Sequence, residues 1–244
     1  MTKETVLVTG SSRGIGLAIA EKYATAGHNV VLNCAHTVSA MDSAVATLQS
    51  LNPNVIGIQA DVSDYAQIAA MQNRVTEIFG DVTVLINNAG ISFFGLLTDM
   101  RPDDWRRVMD VNLGAVLNSC HIFAPHMIKA KKGSIINISS IFGHTGASCE
   151  AVYAASKGGL DAFTKSLAKE LAPSGVRVNA IACGLINTQM NDRLTAAERR
   201  AMMDAIPMGR YGEAAEIAEI AYFLSSQAAG YVTGQIIAVD GGMV

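Results

Sequence analysis

The sequence predicts an α/β fold: one doubly wound domain on a mostly parallel, seven-stranded sheet with helices on both faces. Three observations predict it. Short apolar runs of strand length alternate with helix-period segments from end to end, which is the pattern of repeated βαβ units. Those runs are continuously apolar, as expected of strands covered on both faces. Finally, the 244 residues show no composition shift that marks a linker, so residues 1–244 read as a single domain.

The elements follow in order. Val6–Val8 is the first strand, and a helical pattern runs from Gly14 to Ala26. Val30–Leu32 is the second strand and Val38–Leu51 the second helix. Val55–Ile58 and Tyr65–Phe79 form the third pair, and Val82–Ile86 is the fourth strand. A long helix is expected from Pro102 to about Lys131, with Pro102 suited to a first turn. Ser134–Ile138 is the fifth strand, and the helix Glu150–Leu171 leads to the strand Arg177–Ala182. Helical patterns at Ala196–Ala205 and Ala214–Leu224 precede the last strand, Ile236–Val239.

Composition excludes several function classes. Half the residues are hydrophobic and 16% are charged, too apolar for a disordered chain. A net charge of −3 gives no footprint for nucleic acid. No apolar run reaches the roughly 18 residues of a membrane span. The start, MTKETVLVTG, lacks a signal-peptide layout. Cys34, Cys120, Cys149 and Cys183 have neither metal-ligand nor C-x-x-C spacing. His121 and His126 are five apart and so do not share a helix face as a zinc pair would. The expectation is a cytoplasmic protein with free thiols and no metal. Glycine is in excess, at 22 residues, and glycine serves where backbone must turn tightly or approach a ligand.

The first strand runs through Thr9-Gly10-Ser11-Ser12-Arg13-Gly14-Ile15-Gly16 straight into a helix. A helix N-terminus presents unpaired N–H groups and a partial positive charge, which suit a phosphate. Glycines let a pyrophosphate approach and the helix pack on its strand. At the first strand-to-helix turn of an alternating chain, this spacing points to a dinucleotide; a tight turn without ligand is the other reading. The second strand ends in Asn33-Cys34-Ala35-His36 with no acid for a ribose 2′-OH. Arg13 lies in the turn, where a guanidinium suits a 2′-phosphate, although a solvated turn residue would look the same. Both features favour NADP(H).

Tyr153 and Lys157 are spaced i, i+4 and share one helix face. A phenol has a reference pKa of about 10, and a nearby ammonium lowers it. The fifth strand ends in Ser139-Ser140, and the fourth runs out into Asn87-Asn88-Ala89-Gly90. Both lie at the carboxyl edge of the sheet, where such folds bind ligands. Either serine is placed to face Tyr153. Asn112 lies in the long helix, as a site residue or as the mark of a helix irregularity.

Together, the TGSSRGIG turn, Asp61-Val62, NNAG, Asn112, Ser140, the Tyr153–Lys157 pair and Val239-Asp240-Gly241-Gly242 resemble the short-chain dehydrogenases/reductases over essentially the whole chain. The resemblance implies a Rossmann fold and an NADP-dependent oxidoreductase acting on a carbonyl. It implies that Tyr153 donates a proton to the carbonyl oxygen and Ser140 hydrogen-bonds it. It implies that Lys157 binds the nicotinamide ribose and lowers the tyrosine pKa, and that Asn112 positions a relay water. Gly10, Ser12, Gly14, Ile15 and Gly16 would hold the pyrophosphate and Arg13 a 2′-phosphate, Asp61 and Val62 the adenine, and Asn88, Ala89 and Gly90 the adenosine side. A substrate loop at 140–152 and a cofactor lid at about 184–208 follow, with Gly184, Ile186 and Thr188 at the nicotinamide. Asn87 reads as a brace of the sheet. Where the family usually has Pro-Gly, this chain has Cys183-Gly184, which frees the lid backbone.

Within the family the chain is most similar to bacterial 3-oxoacyl-[acyl-carrier-protein] reductases of fatty acid biosynthesis, through TGSSRGIG, Phe163–Glu170 and Val232–Gly242. Lys129, Lys131 and Lys132 are candidate contacts for an acidic carrier, or a solvated helix end. Ser174 falls where those reductases often carry arginine. The stretch Gly146-Ala-Ser-Cys149-Glu150 resembles elongation factor P 5-aminopentanone reductases, in which Glu150 would pair with a substrate ammonium. Its other reading is a charge at a helix start. Other small-ketone or hydroxysteroid-type activities, and a non-catalytic dinucleotide-binding protein, are the remaining alternatives. The helix Glu150–Leu171 is apolar on more than one face, and the resemblance implies a homotetramer.

Overall fold

A computed structural model describes residues 3–189 and 195–244. The seven strands form one parallel sheet in the order β3-β2-β1-β4-β5-β6-β7. They are β1 (Thr5–Val8), β2 (Asn29–Cys34), β3 (Val55–Gln59), β4 (Val84–Asn87), β5 (Gly133–Ser140), β6 (Val176–Cys183) and β7 (Ile236–Val239). The longer helices are α1 (Gly14–Thr25), α2 (Val38–Gln49), α3 (Tyr65–Phe79), α4 (Pro102–Met109), α5 (Ala115–Ala130), α7 (Ala151–Leu171), α8 (Ala196–Asp204) and α9 (Ala214–Ser225). A single turn, α6 (Phe142–Thr145), follows β5.

Alternation along the strands divides the core into two layers. Val6, Val8, Val30, Leu32 and Ile86 face Ile19, Tyr23, Met41, Leu48, Ile217 and Leu224 on one side. Leu7, Val31, Leu85 and Ile135 face Ile68, Met71, Phe123, Met127 and Leu160 on the other. The inner strands need apolar residues on both faces, which is why their runs do not alternate in polarity, whereas the edge strands β3 and β7 are partly exposed.

Order reverses between β1 and β4, which pair in parallel with Val6 beside Val84 and Val8 beside Ile86. This is the topological switch point, where open α/β sheets bind ligands beyond their carboxyl ends. The expected long helix from Pro102 to Lys131 is three pieces. α4 and α5 flank a π turn over Asp110–Gly114, with Asn112 at its centre. α4 opens with Pro102 in its first turn, and Asp104 Oδ2 accepts from the Arg101 amide at 3.0 Å. Part of the expected cofactor lid, residues 190–194, lies outside the described residues. Among the described residues no helix is long and apolar enough to cross a membrane.

Candidate active site

The site starts at the turn from β1 to α1. Arg13 is the N-cap of α1 in extended conformation, with φ −165°, and its side chain is exposed. Gly10 has φ +61°, and a Cβ there would lie 2.8 Å from Ala89 Cα. A Cβ at Gly16 would lie 2.5 Å from Asn88 Nδ2 and 2.7 Å from Gly10 O. Only glycine suits either place.

The turn is braced from β4. Asn88 Nδ2 donates to Thr9 O and to Gly10 O, both at 2.9 Å. Thr9 Oγ1 accepts from the amides of Asn88 and Ala89, both at 3.0 Å. Asn33, at the end of β2, accepts from Gly10 N through Oδ1 at 3.3 Å and donates to Ile58 O and Ala60 O. Ser12 Oγ lies 2.7 Å from Thr37 Oγ1, which ties the turn to the loop after β2. A helix N-terminus above a cradle too tight for any Cβ fits a pyrophosphate. The residues present are thus suited to a dinucleotide.

The other expected cofactor residues fall along the same edge. Val62 is buried beside a half-buried Asp61. Asp61 accepts from Ser63 and pairs with Arg107 of α4 at 3.0 Å. Despite its partial burial, these hydrogen bonds hold its carboxyl below the ordinary value. A Cβ at Gly184 would lie 2.6 Å from Asp240 Cα. Ile186 is buried and bridges to Gly212 through its backbone. Thr188 stands beside Gly14, its Cγ2 3.7 Å from where a Cβ would be. The start of the expected lid therefore lies against the glycine turn.

The chemistry-bearing side chains come from β5 and α7. Ser140, at the end of β5, accepts from Phe142 N at 3.2 Å and hydrogen-bonds the Tyr153 phenol. Of the adjacent serines it is Ser140, not Ser139, that meets the tyrosine. Lys157 is 4% exposed. Its Nζ donates to Ile138 O at 2.7 Å and lies 5.7 Å from the Tyr153 ring centroid. Burial pushes the Tyr153 phenol above its ordinary value, Ser140 pulls it down, and Cys183 and Glu150 push it up. Burial pushes Lys157 down to about 8.

Asn112 is fully buried. Its Oδ1 accepts from Ile91 N at 2.8 Å, and its Nδ2 donates to Ile91 O at 2.9 Å and Ser156 Oγ at 3.0 Å. A Cβ at Gly90 would lie 3.4 Å from Asn112 Oδ1 and 3.6 Å from Lys157 Nζ, so the two side chains meet over that glycine. The helix irregularity is real and is what turns Asn112 inward. Asn87 is a brace: its Nδ2 donates to Asn137 Oδ1 at 2.9 Å, and Asn137 donates on to Thr164 at 2.8 Å.

One expectation is corrected. Lys129, Lys131 and Lys132 lie at the end of α5, just before β5 begins. β5 then carries the chain roughly 25 Å to Ser140. The lysines therefore stand at the opposite edge of the sheet and do not border this site within one chain; Lys132 pairs with Glu4 at 2.7 Å. Sequence reasoning also missed Arg107, which reaches Asp61 from 46 residues away, and a buried acid on α7, Asp161.

A dinucleotide cradle at a switch point, beside a Ser–Tyr–Lys cluster whose serine and lysine are buried, defines a nicotinamide-dependent oxidoreductase. The short chain dehydrogenase family matches residues 4–199, and the chain belongs to it. It is 41% identical over 243 residues to the 3-oxoacyl-[acyl-carrier-protein] reductase FabG of Staphylococcus aureus, covering 100% of this chain and 98% of that one. It is 40% identical over 238 residues to the enzyme of that name from Thermotoga maritima, covering 98% and 96%. A solved structure of a candidate gluconate dehydrogenase from Agrobacterium tumefaciens superposes with TM-score 0.94 at 36% identity, covering 98% and 95%.

Proposed function

We propose that the protein reduces a ketone to a secondary alcohol with NADPH, and that its substrate is a 3-oxoacyl group on acyl carrier protein. The observation that carries the chemistry is the meeting of Ser140, Tyr153 and Lys157 beside the glycine cradle. When bound, the dinucleotide supplies the hydride. Ser140 Oγ and Tyr153 Oη hold the carbonyl oxygen, and Tyr153 Oη gives it the proton. Lys157 Nζ holds the ribose and favours the phenolate that is left. Asn112 steadies the segment after β4 and stands beside Lys157 at the relay position.

Preference for NADPH rests on chain geometry. Asn33 spends its carboxamide on Gly10, Ile58 and Ala60, so the end of β2 offers no carboxylate to a ribose 2′-OH. Arg13 and His36 are exposed on either side of the Ser12–Thr37 contact, a seat for a 2′-phosphate.

The acyl reading has support from the full-length relatives of that name. It is also supported by an apolar bank of exposed Phe94, Leu96 and Leu97, joined to the substrate loop where Gly95 N donates to Cys149 O at 2.9 Å. A second reading, a protein-bound aminoketone, is favoured by Glu150. This residue stands at the N-cap of α7, and its charge acts on the Tyr153 phenol. Exposed Leu117 and Ile128 on α5 and half-buried Phe163 and Leu167 on α7 support burial of these helices against other copies of the chain, as in a homotetramer.

The test is Tyr153→Phe, which is expected to abolish NADPH oxidation by ketone while NADPH still binds. Retained turnover would overturn the mechanism. Acetoacetyl thioester and aminoketone-bearing elongation factor P, compared on the unaltered protein and on Glu150→Gln, separate the two substrates. Loss of the aminoketone reaction alone supports the second reading, and no effect on either removes the role of Glu150.

A further inference from the structure

Under the substrate loop lies a carboxylate to which the reaction above gives no part. Asp161 stands one turn beyond Lys157 on α7, sharing its face, and is 4% exposed. Neither of its oxygens finds a hydrogen bond of good geometry, and nor does the buried hydroxyl of Ser139. His144, on the single turn α6, brings Nε2 to 3.1 Å from Asp161 Oδ2. The loop is pressed onto α7 at this point. A Cβ at Gly143 would lie 3.0 Å from Asp161 Oδ2 and from Gly158 N, and 2.9 Å from the Lys157 carbonyl carbon.

A buried carboxylate is costly unless charges and dipoles around it compensate. Those facing Asp161 are His144 from α6, Lys157 and Lys165 from α7, and the hydroxyl of Ser139 from β5. Its carboxyl stands above the ordinary value: burial pushes it up, and those four groups pull it back only in part. The influence runs both ways: burial lowers Lys157, while Cys183 and Asp161 act to raise it. Asp161 is the one carboxylate among them, and it touches the substrate loop on its other side.

We propose that Asp161 is a positioning residue of this active site: its buried carboxylate holds Lys157 in the charged form and clamps the substrate loop through His144. This rests on the reading of Ser140, Tyr153 and Lys157 given above. The carboxylate makes no contact with substrate. It acts through the lysine on one side and, through α6, on the position of Ser140 on the other.

Two variants separate these arms. Asp161→Asn keeps the shape and removes the charge, so the titration midpoint of Lys157, followed by NMR in the cofactor-free protein, is expected to fall by about one pH unit. The upper limb of the kcat–pH profile for acetoacetyl thioester reduction should move down with it. An unmoved midpoint overturns the proposal, whatever happens to turnover. His144→Gln alters a half-exposed side chain and should raise KM for the ketone by roughly threefold or more while leaving the upper limb in place. An unchanged KM overturns the clamp, and this variant decides the matter if Asp161→Asn does not fold. If the unaltered protein reduces no ketone, the reading of the site fails instead, and the lysine titration still decides the influence of Asp161.

Discussion

Removing the brace on the glycine turn tests the cofactor site most directly. Asn88→Ala deletes two hydrogen bonds, to Thr9 O and Gly10 O, each 2.9 Å long. A typical intramolecular hydrogen bond contributes about 0.5–1.5 kcal/mol, so the pair is worth roughly 1–3 kcal/mol. The melting temperature of a chain this size moves about 2–4 °C per kcal/mol, so a fall of roughly 2–12 °C is expected. The cofactor should report the damage separately. At 100 times its Kd a ligand stabilises by about 2.7 kcal/mol. A tenfold weakening of binding removes about 1.4 kcal/mol of that. Circular dichroism melts with and without NADPH, together with fluorescence titration of NADPH, read both quantities. A variant that melts within 1 °C of the unaltered protein (an order-of-magnitude threshold) and binds NADPH equally well would refute the assigned brace.

Three further outcomes follow from the same geometry. Lys157, pushed by burial down to about 8, is charged below that pH and neutral above it. Ketone reduction should therefore decline as pH rises through about 8, and a flat profile to pH 10 would contradict the role of the ammonium. Arg13→Ala should raise the Kd for NADPH by about tenfold or more and leave NADH nearly unchanged, since only the former carries a phosphate to lose contact with; equal effects on both would remove Arg13 from the 2′-phosphate seat. Gly184→Ala places a Cβ 2.6 Å from Asp240 Cα, against backbone. It should lower the melting temperature by several degrees, at about 2–4 °C per kcal/mol, and an unchanged melt would show that the β6 and β7 ends can separate there.

Much of the fold was legible because the inner strands are largely apolar on both faces and the first βα turn is built on glycines. Gly10, Gly14 and Gly16 declare a phosphate cradle without any three-dimensional information. Other features were hidden for physical reasons. The π turn at Asp110–Gly114 leaves the hydrophobic repeat on either side intact, so Pro102–Lys131 read as one helix, and Asn112 alone hinted at the break. Asp61 and Arg107 meet only because α4 folds back toward β3. Asp161 looked like an ordinary polar residue of a helix, since its burial depends on α6 lying across it. The lysines at the end of α5 drew attention by their charge, and charge along a sequence says nothing about which edge of a sheet it occupies.

The π turn also has a meaning in chain length. Such a turn is one residue more than the surrounding α-helix requires. Deleting a single residue within Asp110–Gly114 would let α4 and α5 merge into one regular helix, at some gain in local hydrogen bonding. The flanking helices would keep nearly their present phase, since the wide turn absorbs the extra residue, but the residues of the turn itself would lose their present placement. Asn112 would then leave Ile91, and the segment after β4 would lose its anchor. The chain therefore carries one residue of slack in its longest helical stretch, and shedding it would give a more regular helix and a less ordered wall to the site.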